Sequence, residues 1–116
     1  SFEKILFADQ TLSEKPELVE EVRSLMASAT AEGLVNALLA MRDRKDYTDF
    51  LQGIDVPALM IGAQEDRAIP VEQLEILSSK VKGSRLTVIA GAGHMVNLEQ
   101  PERVNAALID FLKALG

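Results

Sequence analysis

Val56-Pro57-Ala58-Leu59-Met60-Ile61-Gly62-Ala63-Gln64-Glu65-Asp66-Arg67-Ala68-Ile69-Pro70 runs from a continuously apolar stretch into a polar loop and then a proline. A strand without a polar face is buried on both sides, as in a parallel sheet covered by helices. The strand is expected over Pro57–Ala63. Pro70 opens a helix whose Leu74, Leu77 and Val81 share one face, and Gly83 supplies a left-handed stop. A second strand follows over Leu86–Ala90, then the Gly91-Ala92-Gly93 turn. The last helix starts at Pro101, with Val104, Ala107, Leu108, Phe111, Leu112 and Leu115 on its buried face. The pattern is a βαβα unit. Parallel strands joined by a crossover helix turn right-handed almost without exception, so the fold class is α/β, a piece of a doubly wound sheet.

The chain changes character near Gln52-Gly53, which divides it into a helical segment, residues 1–52, and the βαβα part, residues 53–116. Pro16 suits the first turn of a helix carrying Leu18, Val19, Val22, Leu25, Met26 and Ala29 on one face. Thr30 caps a second, with Leu34, Ala37, Leu38 and Met41 as its stripe, ending at the charged run Arg42–Asp46. In the first dozen residues Phe2, Ile5 and Leu6 form one helical face. Two strands are too few for a stable parallel sheet, so neighbouring strands must come from further sequence or from a second copy of the chain.

Composition narrows the function. The 116 residues, 47% hydrophobic and 26% charged, suit one globular domain, and the formal charge of −6 argues against nucleic acid and anionic lipid as partners. No cysteine is present, which removes disulfides, thiolate nucleophiles and cysteine metal sites, and fits a reducing compartment. The cytoplasm is the expected location. No apolar stretch approaches the roughly 20 residues of a membrane-spanning helix, and Ser1-Phe2-Glu3-Lys4 does not open a signal peptide.

In open α/β sheets the chemistry sits on loops beyond the carboxyl ends of the strands. One such loop carries Glu65 and Asp66, and the other carries His94, the only histidine. Adjacent parallel strands bring the two loops within side-chain reach. A carboxylate beside His94 would hold its tautomer and stabilise its protonated form, as a general base requires. Each residue has a plainer reading. His94 is also a turn histidine after a glycine-rich bend, Asp66 an Asx-turn or helix-capping residue, and Glu65 a rival acid. Glu99, just before Pro101, reads best as a helix-start residue.

The Val56–Pro70 stretch resembles the penultimate strand and acid loop of α/β-hydrolases, with Asp66 at the triad-acid position. Val88-Ile89-Ala90-Gly91-Ala92-Gly93-His94-Met95-Val96-Asn97-Leu98-Glu99-Gln100-Pro101 resembles their last strand and histidine loop, with His94 at the triad-base position. Acid before histidine is the order of that fold. The resemblance covers Gly53–Gly116. Residues 1–52 resemble the back part of the helical cap seen in small-substrate esterases, enol-lactonases and related hydrolases, more loosely. It implies a nucleophile–His–acid triad acting on a small carboxylic ester or lactone, with no metal and no organic cofactor. It also implies that Leu38, Met41 and Met95 contact substrate, although Leu34, Leu38 and Met41 read more simply as cap packing.

One departure is decisive for activity. No G-x-S-x-G nucleophile elbow occurs; Ser24 and Ser28 belong to a cap-like helix, Ser78 and Ser79 to the crossover helix, and Ser84 opens a strand. The nucleophile, serine or aspartate, and the oxyanion donors are thus missing, and the chain alone is expected to be inactive as a C-terminal portion of such an enzyme. The competing reading is a non-enzymatic oligomeric α/β module that serves assembly or binding. On either reading the bare strand edge predicts self-association, as a dimer completing a larger sheet.

Overall fold

The computed structural model describes residues 1–116. Its helices are α1 (Glu3–Leu6), α2 (Asp9–Glu14), α3 (Pro16–Ala27) and α4 (Ala31–Arg42), followed by a 3₁₀ turn at Thr48–Gly53. Then come β1 (Leu59–Ala63), α5 (Val71–Lys80), β2 (Arg85–Ile89), α6 (Val96–Glu99) and α7 (Pro101–Ala114). The strands pair in parallel, Leu59 opposite Arg85 through Ala63 opposite Ile89. The βαβα reading is borne out. So is the count of two strands, which are the whole sheet.

Local chemistry explains most boundaries. Pro16 occupies the first turn of α3 and Pro101 that of α7, where a missing N–H is harmless. Thr30 caps α4 by accepting the Gly33 N–H at 3.0 Å. β1 starts two residues later than expected, because Pro57 has no N–H and Ala58 gives only its carbonyl, to Arg85 N–H at 2.9 Å. Gly83 does adopt a left-handed φ of 72°, but α5 has already ended at Lys80, and the glycine instead turns the chain into β2. The single helical face expected at the start is two short helices, broken where extended Phe7 leaves its ring 1% exposed.

Side chains alternate across β1, which sets its two faces. Ile61 and Ala63 join Ile89, Ala92 and Val104 of α7 in one core cluster, while Gly62, of opposite parity, lies under Leu74 of α5. A second cluster unites Phe7 with Val19 and Val22 of α3, with Leu6, Leu12, Leu18 and Met95 packed around it.

The buried faces expected from periodicity are only partly realised. Of the α7 stripe Val104 is buried and Ala107 and Phe111 half-buried, while Leu108, Leu112 and Leu115 are exposed. Leu59, Met60 and Ile61 are half-buried rather than enclosed. Strands lie about 5 Å apart, so a pair of them offers too narrow a floor for the full width of an apolar helix. α4 buries nothing at all and packs closely on no other element. It leaves α3 at 94°. The radius of gyration, 16.2 Å, accordingly exceeds the roughly 13 Å of a compact domain near this size. No single helix is long and apolar enough to cross a membrane.

Candidate active site

The parallel register carries the chain past Ala63 and Ile89 at one end of the sheet. Two hydrogen bonds extend the pairing there, from Gln64 N–H to Ile89 O at 2.9 Å and from Glu65 N–H to Ala92 O at 3.0 Å. The acid loop and the histidine loop therefore leave the sheet side by side. Asp66 and His94 meet across the gap. His94 Nδ1 lies 3.2 Å from Asp66 Oδ1 and 3.1 Å from Oδ2, with the side chains 35% and 11% exposed.

Asp66 makes a local turn as well as the contact with His94. Its Oδ1 accepts the N–H groups of Ala68 and Ile69, each at 2.8 Å, in an Asx-type turn. The turn presets the carboxyl group for the imidazole, so the Asx turn and the His94 contact occur together. Glu65, the rival acid, makes no hydrogen bond to His94, and its Oε2 is buried without a partner. With Nδ1–H donating to Asp66, the lone pair of His94 Nε2 is left unused by any group in the chain. A half-exposed base oriented by a carboxyl group can take up a proton at Nε2.

The α/β-hydrolase family profile matches residues 2–107. The chain belongs to the α/β-hydrolase family. It is 30% identical to 3-oxoadipate enol-lactonase 2 of Acinetobacter baylyi over 92% of its own length and 39% of the lactonase. It is 34% identical to a non-heme haloperoxidase of Rhodococcus erythropolis, over 60% of its length and 26% of that protein. A thermophilic esterase from Thermogutta terrifontis superposes with a TM-score of 0.93 at 35% identity, covering 97% of this chain and 41% of the esterase. The chain thus spans about two fifths of the length of the lactonase and the esterase that it matches.

Within this chain of the family the two loops are anchored to the N-terminal helices by residues that periodicity did not single out. Arg67, next to Asp66, donates to Lys4 O at 2.7 Å, Phe7 O at 3.3 Å and Asp9 Oδ1 at 2.9 Å. Met95 N–H, next to His94, donates to Leu6 O at 3.1 Å. Gly93 permits this approach. A Cβ there would stand 2.7 Å from Ala8 N and 2.8 Å from the Phe7 carbonyl carbon, both backbone atoms.

Glu99 corrects the sequence reading. It ends α6 ahead of Pro101, but its fully buried carboxyl group accepts from Ala8 N–H, Thr11 hydroxyl and Gly93 N–H, none of them on α7. Its partners lie up to 91 residues away in sequence, beyond any capping rule. A charged residue beside the apolar Val96 and Leu98 was the only local sign.

The residues expected to contact substrate are dispersed. Leu38 and Met41 are exposed on α4, at 63% and 64%, and no hydrogen bond or packed cluster links them to the histidine loop. Met95 is half-buried against the Phe7 cluster. His94 and Asp66 line no cleft; the clefts lie elsewhere, for example between Arg44–Thr48 and Leu77. No three acidic or histidine side chains converge as a metal site would require.

Proposed function

We propose that these 116 residues supply the base and the acid of a nucleophile–His–Asp triad in an α/β-hydrolase that cleaves a small carboxylic ester or lactone. The nucleophile, serine or aspartate, would come from a part of the parent protein outside them. The single observation that carries the reading is the 3.1–3.2 Å approach of both Asp66 oxygens to His94 Nδ1. The named lactonase and esterase favour ester or lactone chemistry over that of the haloperoxidase.

With a serine nucleophile, His94 Nε2 takes the hydroxyl proton as the oxygen bonds to the substrate carbonyl carbon. Asp66 holds the ring and stabilises its positive form. As the tetrahedral intermediate collapses, the leaving alkoxide takes the proton from Nε2, and an acyl-enzyme remains. A water deprotonated by His94 then hydrolyses it. In this reading residues 53–116 belong to the catalytic core and residues 1–52 to the cap, with exposed Leu38 and Met41 covered by further parts of the parent protein and turned to substrate, and Met95 meeting substrate only by the part of its side chain that the Phe7 cluster leaves uncovered.

The test is to express the chain together with its preceding coding sequence and assay short-chain nitrophenyl esters, lactones and haloalkanes. Ester or lactone turnover, lost in His94→Ala, is expected. Retained activity in that variant removes His94 from the mechanism, and preferred haloalkane turnover points to an aspartate nucleophile.

A second reading rests on the uncovered apolar residues of α4 and the bare edges of the two-stranded sheet. Such surfaces favour self-association, as a dimer or as a non-enzymatic module for assembly or binding. A monomeric mass by light scattering at micromolar concentration would count against it.

A further inference from the structure

Glu99 has no part in the acid–base step, yet it is among the most completely buried side chains in the molecule. Withdrawing a carboxyl group from water is unfavourable unless donors replace the lost hydration. Three donors do so: Ala8 N–H at 2.8 Å and Thr11 Oγ1 at 2.7 Å on Oε1, and Gly93 N–H at 2.9 Å on Oε2. Lys15 Nζ donates to the backbone carbonyl of the same residue. The residue before His94 is thus held by Glu99, and the residue after it, Met95, is held by Leu6 O. Both holds lead to the segment Leu6–Thr11.

We propose that Glu99 is a positioning residue: its buried carboxyl group clamps residues 8–11 onto Gly93 and so sets the orientation in which His94 meets Asp66. The proposal deepens the hydrolase reading and rests on it, since it assumes that the Asp66–His94 pair is the working one. The geometry leaves little margin. At 3.1–3.2 Å the contacts sit at the long end of the hydrogen-bond range, so moving the loop by about 1 Å would break them.

Glu99→Gln keeps the shape but swaps one oxygen for an NH₂ group, which then faces an N–H or hydroxyl that had donated to it. One buried donor loses its acceptor, and the clamp opens on that side. Thr11→Val removes one donor and leaves the carboxyl group.

His94 is the only histidine, so its imidazole nitrogens give one set of NMR signals in the ¹⁵N-labelled 116-residue chain. With neutral imidazole, the parent should favour the Nδ1–H tautomer, and Asp66→Asn should abolish the preference. Glu99→Gln should weaken it about tenfold, the scale of a hydrogen bond to a charged group, with the α5 amide signals unmoved. Thr11→Val should weaken it about threefold, and it carries the test if Glu99→Gln does not fold. A purely structural staple would lower thermal stability and leave the tautomer signature alone. Unchanged imidazole signals in folded Glu99→Gln, or in Thr11→Val where the first variant unfolds, overturn the proposal while the hydrolase reading stands. No Nδ1–H preference in the parent, or no response to Asp66→Asn, overturns both.

Discussion

α3 and α4 are both 12-residue helices with apolar stripes, joined through a short bend, yet one is built into the molecule and the other stands outside it. α3 buries Val19 and Val22 against Phe7, on a segment tied to the loops of the Asp66–His94 pair through Glu99, Arg67 and Met95. α4 is held by its own backbone and the Thr30 cap. An apolar stripe states that a helix could be buried, not that anything lies opposite it. What separates the two helices is the set of polar ties that seat the segment ahead of α3 on a distant loop.

The contrast makes graded predictions. Phe7→Ala should have the largest effect, about 3–5 kcal/mol in urea denaturation, because a ring 1% exposed leaves a cavity at the centre of the N-terminal cluster. A loss below about 1 kcal/mol, the size of an ordinary point mutation, would mean that α1–α3 are no more integral than α4. Gly93→Ala comes next, at about 2–3 kcal/mol, since the added Cβ meets backbone that cannot rotate away. Amide hydrogen exchange should then show Leu6–Thr11 loosened while the β1–β2 pairing stays protected.

Leu38→Ala on exposed α4 should change the stability of the monomer by no more than about 0.5 kcal/mol. Repeating the denaturation at higher protein concentration sharpens the contrast. A cost that grows with concentration identifies α4 as covered on self-association, whereas a large cost at every concentration contradicts its exposure.

The smallest effect concerns pH and the connector beyond α4. The Asp46 carboxyl is held below its usual value, first by the Thr48 hydroxyl and then by the Thr48 N–H. A depressed folded value means a contribution complete above about pH 4, the ordinary range of the group, and lost as pH falls through the lower folded value. The 3₁₀ turn at Thr48 should therefore loosen in acid, and Asp46→Asn should remove the dependence, as read from the Thr48 amide signal.

In residues 53–116 the sequence and the structure agree where the signal is local. Apolar runs, Pro70 and Pro101 locate the strands and helices, and a parallel pair must deliver both of its outgoing loops to one rim, so Asp66 and His94 met as their loops implied. At α7 periodicity does not translate into burial: Leu108, Leu112 and Leu115 stay exposed because two strands are too narrow to cover them. Glu99 stands just before Pro101 as a helix-start residue would, yet its partners Ala8 and Thr11 lie at the other end of the chain.

Element type, chain direction and the rim where Asp66 meets His94 were legible from the residues, because backbone preference and side-chain periodicity act over a few positions. Which apolar faces are covered, and what steadies His94, emerged with the packed molecule. Burial and polar satisfaction depend on groups brought together from distant parts of the chain, and no local pattern in Val96-Asn97-Leu98-Glu99 encodes the arrival of Ala8 and Thr11.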